Sequence, residues 1–182
     1  FSGLVAWYAI QVHQTKYLIE IGFTPVVAAW ALGAVSVIGI PGQILLGAVS
    51  DRIGREWVWA AGCAGFAVSY AILLAMEQTP TTPLLYAMIF TQGFFGYALT
   101  SVMGPIVAEV FEGPHFGTIF GTITVALMAG GAAGPWAAGV IHDATGSYHL
   151  AFVLAIGCCA VSAVAIWLAS PRGVRHVPGR AP

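Results

Sequence analysis

An all-α membrane protein, built as a bundle of six transmembrane helices, is the fold this sequence predicts, and three observations predict it. Hydrophobic residues make up 59% and charged residues 7% of the 182-residue chain, against about 25% charged in a typical soluble domain. The Asp, Glu, Lys and Arg side chains are gathered into short clusters, leaving residues 21–50, 57–76, 78–108, 113–142 and 144–171 free of them. Each interval holds the roughly 20 residues a helix needs to cross the hydrocarbon core. A lipid bilayer is the expected surroundings. With a formal net charge of −1, no basic surface invites nucleic acid.

The elements follow in order. A first span of about 1–17 runs through the apolar stretch from Phe1 to His13; no charge precedes it, so it is read as truncated, with further sequence expected before Phe1. Thr24-Pro25 opens the second span, 25–49, since Thr caps orphan amides and Pro suits the first helical position. The third is 57–76. Thr82-Pro83 opens the fourth, 83–111, in the same way. The fifth covers 117–142, and the loop Asp143 to Ser147 leads into the last, 148–169, with Ser147 as its cap and Ser170-Pro171 as its stop. The bundle therefore occupies 1–170 and a tail occupies 171–182. Ile40-Pro41-Gly42 and Met103-Gly104-Pro105 are expected to interrupt the helical ladder and bend their helices.

Orientation comes from the cations. If the spans alternate, Arg52, Arg55, Arg172, Arg175 and Arg180 share one side and Lys16 alone lies on the other, which makes the arginine side, with the C-terminus, cytoplasmic. An integral, multi-pass protein of the plasma or inner membrane is expected. The third and sixth helices are almost wholly apolar and suit lipid-facing positions. The first carries Gln11, His13 and Gln14, and the fourth Thr91, Gln92, Tyr97, Thr100 and Ser101; polar groups at membrane depth face a bundle interior or a watery cavity. Small residues at four-residue spacing, Gly96/Thr100/Gly104, Gly117/Gly121 and Gly130/Gly134/Ala138, allow backbones to approach closely.

Sites of chemistry are not expected. Ser36, Ser101 and Ser162 have no base at matching depth, so no catalytic centre and no enzyme is read from them. His13, His142 and His149 should share one level but lack the short spacing of a metal site. No pair of histidines lies at mid-membrane depth to hold haem, and no cofactor is expected. Cys63, Cys158 and Cys159 fall inside spans, where they pack as small hydrophobes.

Between the second and third spans the chain reads Gly47-x-x-x-Asp51-Arg52-x-Gly54-Arg55. This resembles the signature loop of the major facilitator superfamily, and six spans with the loop in this place resemble helices seven to twelve of that twelve-helix fold. Further echoes are Glu109 followed by Gly117-x-x-x-Gly121, Gly134-Pro135-Trp136 leading to Ile141-His142-Asp143, and Asp143-x-Thr145-Gly146-Ser147-Tyr148. Glu56 and His115 stand where many members carry a basic residue. The resemblance implies a secondary active transporter of a small solute that works by alternating access, its partner being a missing N-terminal six-helix half. Gly47, Asp51, Arg52, Gly54 and Arg55 are the implied gating loop, with Asp51 accepting from a helix N-terminus or pairing with an arginine. Gly47 and Gly54 would admit that neighbour closely. Helices seven and ten of the family line the cavity, which makes Gln11, His13, Gln14, Gln92 and Tyr97 candidates, with Gln43 and Thr122 from the flanking helices.

The branch most resembled contains monocarboxylate porters and oxalate/formate-type antiporters, which implies a small organic anion. Residues 21–50 and 113–142 hold no Lys or Arg, so either the missing half supplies the cation or the solute is not a carboxylate, since an unpaired carboxylate is costly to desolvate. A non-transporting membrane sensor or scaffold that keeps the fold is the alternative; retention of Asp51 and Arg55 speaks against it.

Overall fold

A computed structural model describes residues 1–111 and 113–169. Among them there are helices and turns and no strands: α1 (Ser2–Glu20), α2 (Pro25–Ile53), α3 (Arg55–Met76), α4 (Thr82–Phe90), a π-helical stretch at Thr91–Gly96, α5 (Ala98–Val110), α6 (Phe116–Thr145) and α7 (His149–Ala169). With the π stretch, α4 and α5 form one 29-residue rod, and five rods are long and apolar enough to cross a membrane. The chain is thus a multi-pass membrane protein. The sixth rod, α1, is not among those five, because Gln11, His13, Gln14, Thr15, Lys16 and Glu20 dilute its hydropathy.

Local chemistry sets the helix starts. Thr24 is extended and its hydroxyl accepts from the Val27 amide at 3.4 Å, with Pro25 at the first helical position. Ser147 accepts the His149 amide at 3.0 Å ahead of α7. At α4 the cap is Thr81 rather than Thr82, and it makes no side-chain bond; Thr82 and Pro83 are already helical. The expected stop at Ser170-Pro171 and the 171–182 tail lie outside the described residues.

Two expectations fail on packing grounds. The proline interruptions do not occur: α2 runs through Pro41 and α5 through Pro105. The irregular turn lies instead at Thr91–Gly96, where the backbone widens between two glycine-faced neighbours. A Cβ on Gly42 would land on the carbonyl oxygen of Phe94; one on Gly65 would meet the Phe95 side chain and, at 3.0 Å, the Thr91 carbonyl; one on Gly62 would meet Leu99 at 2.8 Å. The glycines of α2 and α3 make room for the extra girth of a π turn. Nor is α3 a lipid-facing helix in the described residues: 44% of its apolar window is buried, against 17% for α2 and 11% for α6. Apolar sequence fits a helix core as well as it fits lipid, and α3 supplies Phe66, Tyr70, Leu73 and Met76 to the interior.

Small residues on α6 perform as expected along part of its length. Gly130 and Gly134 lie against the Phe1 and Val5 carbonyls of α1, and Ala138 is buried beside Ala9 and Ala151. Gly104, Gly117 and Gly121 instead face open space, so their sides of α5 and α6 carry no partner among the described residues. Cys63 and Cys159 are buried as free thiols.

Candidate functional site

Three polar arrangements stand out, at one end, the middle and the other end of the bundle. At the first end, Gly54 joins α2 to α3 with φ 116°, a left-handed conformation that glycine adopts without strain. The turn sets Asp51 and Arg55 side by side, with Nη2 to Oδ1 at 3.3 Å. Arg55 also donates through Nε to Oε1 of Glu109 at the end of α5. Arg55 is thus the hub of two ion pairs and the tie between α3 and α5. Of the two partners expected for Asp51, the arginine is the one it meets among the described residues. A Cβ on Gly47 would sit 3.4 Å from Ser101 of α5, an ordinary contact that demands no glycine; Gly54 serves the turn. Arg52, in the last turn of α2, is exposed and suits the negative end of that helix.

In the middle, four side chains make one chain of hydrogen bonds. Gln92 Nε2 donates to Gln11 Oε1 at 3.4 Å, Gln11 Nε2 donates to the Tyr97 hydroxyl at 3.3 Å, and the Tyr97 and Ser36 hydroxyls meet at 3.3 Å. Ser36 also donates to the Leu32 carbonyl at 3.3 Å. Tyr97 is positioned by Trp7, 5.0 Å away between ring centres, and by Gly39, where a Cβ would lie 2.8 Å from its ring. Ser36, Gln11, Gln92 and Tyr97 all fall in the central third of their rods. Gln92 is fully buried, Gln11 and Tyr97 half-buried, and Ser36 exposed on α2. The Oε1 atoms of Gln92 and Gln14 are buried without a partner.

The remaining candidates lie apart from this strip. Gln14 is fully buried, its Nε2 against the Met88 sulfur at 3.8 Å. His13 bridges helices: its Nε2 lies 2.9 Å from the Pro135 carbonyl, which only accepts, so Nε2 carries the proton and Nδ1 accepts from the Tyr148 hydroxyl at 3.0 Å. Burial raises the Tyr148 phenol above its usual range, the nearby Lys16 opposing, so this hydroxyl remains a donor. Gln43 is half-buried on α2, and Thr122 is exposed on α6 with its hydroxyl turned back to Thr118.

At the other end, His142 lies 3.2 Å from Glu20 and 3.6 Å from Asp143, and His149 lies 2.8 Å from Glu77. His13 and His142 meet at the Tyr148 ring, 5.2 and 4.2 Å between ring centres. Among the described residues no group of three or more His, Cys, Asp or Glu is placed to hold a metal. A cavity of about 310 Å³ lies away from the polar strip; Trp59, Ile106, Val110, Leu127 and Ser162 line it together with Phe1. Its walls are apolar, with a Trp59 to Ser162 hydrogen bond of 3.0 Å on one side.

Sequence reasoning missed Ser36 as a member of the strip and Glu109 as the partner of Arg55. The second was within reach: Glu109 closes a charge-free interval whose far end must return to the Arg55 side.

The comparisons with known proteins agree with this architecture. The chain is 35% identical over 111 residues to the tetracycline resistance protein, class C, of Escherichia coli, covering 61% of this chain and 26% of that protein. It is 28% identical over 180 residues to the lysosomal dipeptide transporter MFSD1 of Danio rerio, 91% of this chain and 36% of the relative. It is 27% identical over 151 residues to monocarboxylate transporter 13 of Rattus norvegicus, 79% of this chain and 33% of the relative. The chain therefore spans between a quarter and just over a third of these relatives. The family model described as Major Facilitator Superfamily matches residues 1–182 from end to end, and the chain belongs to that superfamily of membrane transporters.

Proposed function

We propose that this chain is the C-terminal six-helix half of a secondary active transporter and that it moves a small solute by alternating access. The observation that carries the reading is the Gln92–Gln11–Tyr97–Ser36 strip. It is polar, lies midway along the rods, and opens on α2, a place where lipid would leave hydrogen-bonding groups unsatisfied. A second half facing α2 and α6, the two least buried spans, would close a cavity over it. In this reading Arg55, with Asp51 and Glu109, holds the cytoplasmic end, and α1 crosses the membrane as the sixth span despite its polarity. A small organic anion is supported by the monocarboxylate transporters among the relatives; tetracycline and dipeptides are the solutes named by the others.

Two outcomes test this. Because the solute lies between two repeats, this chain alone in liposomes is expected to show no saturable uptake of a monocarboxylate, a dipeptide or tetracycline, while the full-length protein accumulates one of them. Saturable uptake by the chain alone would sink the two-half reading. For the topology, Ile53→Cys and Thr145→Cys in the full-length protein should react with an impermeant thiol reagent from opposite sides of the membrane, position 53 from the cytoplasm; labelling of both from one side would overturn the orientation.

A further inference from the structure

The hydrogen-bonded strip has a direction. Ser36 has one proton, and the Leu32 carbonyl can only accept, so that bond uses the Ser36 proton. The contact between Ser36 and Tyr97 then requires Tyr97 to donate. Tyr97 in turn accepts from Gln11 Nε2, and Gln11 Oε1 accepts from Gln92 Nε2. This is the one assignment that satisfies all four bonds together. Both hydroxyl protons are consumed, and every bond points from Gln92 toward Leu32. What the two hydroxyls have left over is acceptor capacity, one lone pair each on Ser36 Oγ and Tyr97 Oη. Gln92 Oε1, fully buried and unpartnered, adds a third acceptor at the head of the chain. Among the described residues the cations lie at the ends of the bundle, Arg52 and Arg55 at one and Lys16 at the other.

We infer that this half binds the solute through a hydrogen-bond donor, a hydroxyl or N–H group placed against Ser36 and Tyr97, and that any anionic group of the same solute is held by the opposite half. The inference rests on the transport reading above and narrows it. A carboxylate set against the Ser36 and Tyr97 hydroxyls would face oxygens whose protons are already used, the strip's spare donors being the second N–H of Gln11 and of Gln92, whereas a hydroxyl would complete the shells of Ser36 and Tyr97. A site whose buried polar groups are completed by a ligand hydroxyl rejects the analogue that lacks it, because those groups are then left unpaired.

Lactate and propionate, which differ by one hydroxyl, are the probes, with the full-length protein in proteoliposomes. Lactate is expected to show a KM lower than propionate by about five- to tenfold, the scale of one such hydrogen bond. In Tyr97→Phe the ratio should fall to about one, lactate losing more affinity than propionate; a purely structural role for the hydroxyl would weaken both probes alike. Ser36→Ala, an exposed position that leaves the core untouched, should lower the ratio in the same direction. Equal KM values for the two probes in the unaltered protein, or a ratio unmoved in both variants, would overturn the donor assignment while leaving transport in place. Absence of saturable uptake of both probes would overturn the transport reading for this solute class and the assignment with it.

Discussion

Arg55→Gln in the full-length protein is expected to slow transport about tenfold, and to slow it more than Asp51→Asn. The reason is the arrangement at the turn between α2 and α3. Among the described residues Arg55, 23% exposed, serves two carboxylates, whereas Asp51, 61% exposed, pairs with this arginine. An exposed pair screened by water contributes about 0.5 kcal/mol, so Asp51→Asn removes little. Arg55→Gln removes both pairs and leaves Glu109 without its counter-charge, for about 1–2 kcal/mol in the state where the end is closed. A shift of about 1.4 kcal/mol is tenfold in a conformational equilibrium. Because the mutation biases that equilibrium and lies a helix half-length from the strip, maximal uptake rate should change more than KM. Proteoliposome uptake kinetics decide it: an Arg55→Gln protein with the unaltered rate at equal expression would reduce these charges to anchors of topology.

Gly42→Ala should be the most destabilising single methyl addition on α2, lowering stability by about 2–3 kcal/mol, the range for forcing an atom into a filled core. The added Cβ would fall on the backbone oxygen of Phe94 and within 2.8 Å of its Cα, and backbone cannot rotate aside as a side chain can. Gly33→Ala on the same helix is the control, since nothing lies within 4 Å of its Cβ position. There the exchange should gain about 0.5–1 kcal/mol by removing glycine's entropy cost in a helix. Thermal unfolding of the purified chain in detergent gives the comparison. Equal midpoints for the two variants would show that the π turn yields to α2 without cost.

Charge spacing made five spans and the turn at Gly54 legible, because charged residues are excluded from lipid and their clusters mark the ends. The pairing of Arg55 with Glu109 was half legible, as a matter of shared sides. The core role of α3 was not: Phe66, Tyr70 and Leu73 read the same against lipid as against α1 and α7. Nor did the sequence reveal the π turn: Gly93 and Gly96 weaken Thr91-Gln92-Gly93-Phe94-Phe95-Gly96 as a helix without specifying its winding, and the close approach of Gly42, Gly62 and Gly65 is visible only in the packed bundle. Tyr97, Gln11 and Gln92 were legible as polar residues at depth. Ser36 was not, because a serine in a helix satisfies itself on its own backbone, as this one does with Leu32, and only the approach of Tyr97 gives it a second partner.

The wide turn at Thr91–Gly96 has a bearing on how its rod is wound. A π turn takes up about one residue more than an α turn, so α5 is out of phase with α4 by about 100° relative to a continuous helix. Gln92 lies within the turn, Tyr97 follows it, and Glu109 is carried entirely by the second phase. If the turn relaxed to α-helical winding, α5 would rotate as a unit and swing Glu109 around the rod axis, out of reach of Arg55. The strip at mid-depth and the ion pair at the end are therefore carried by one rod, and the turn that sets their relative phase is the stretch gripped by Gly42, Gly62 and Gly65.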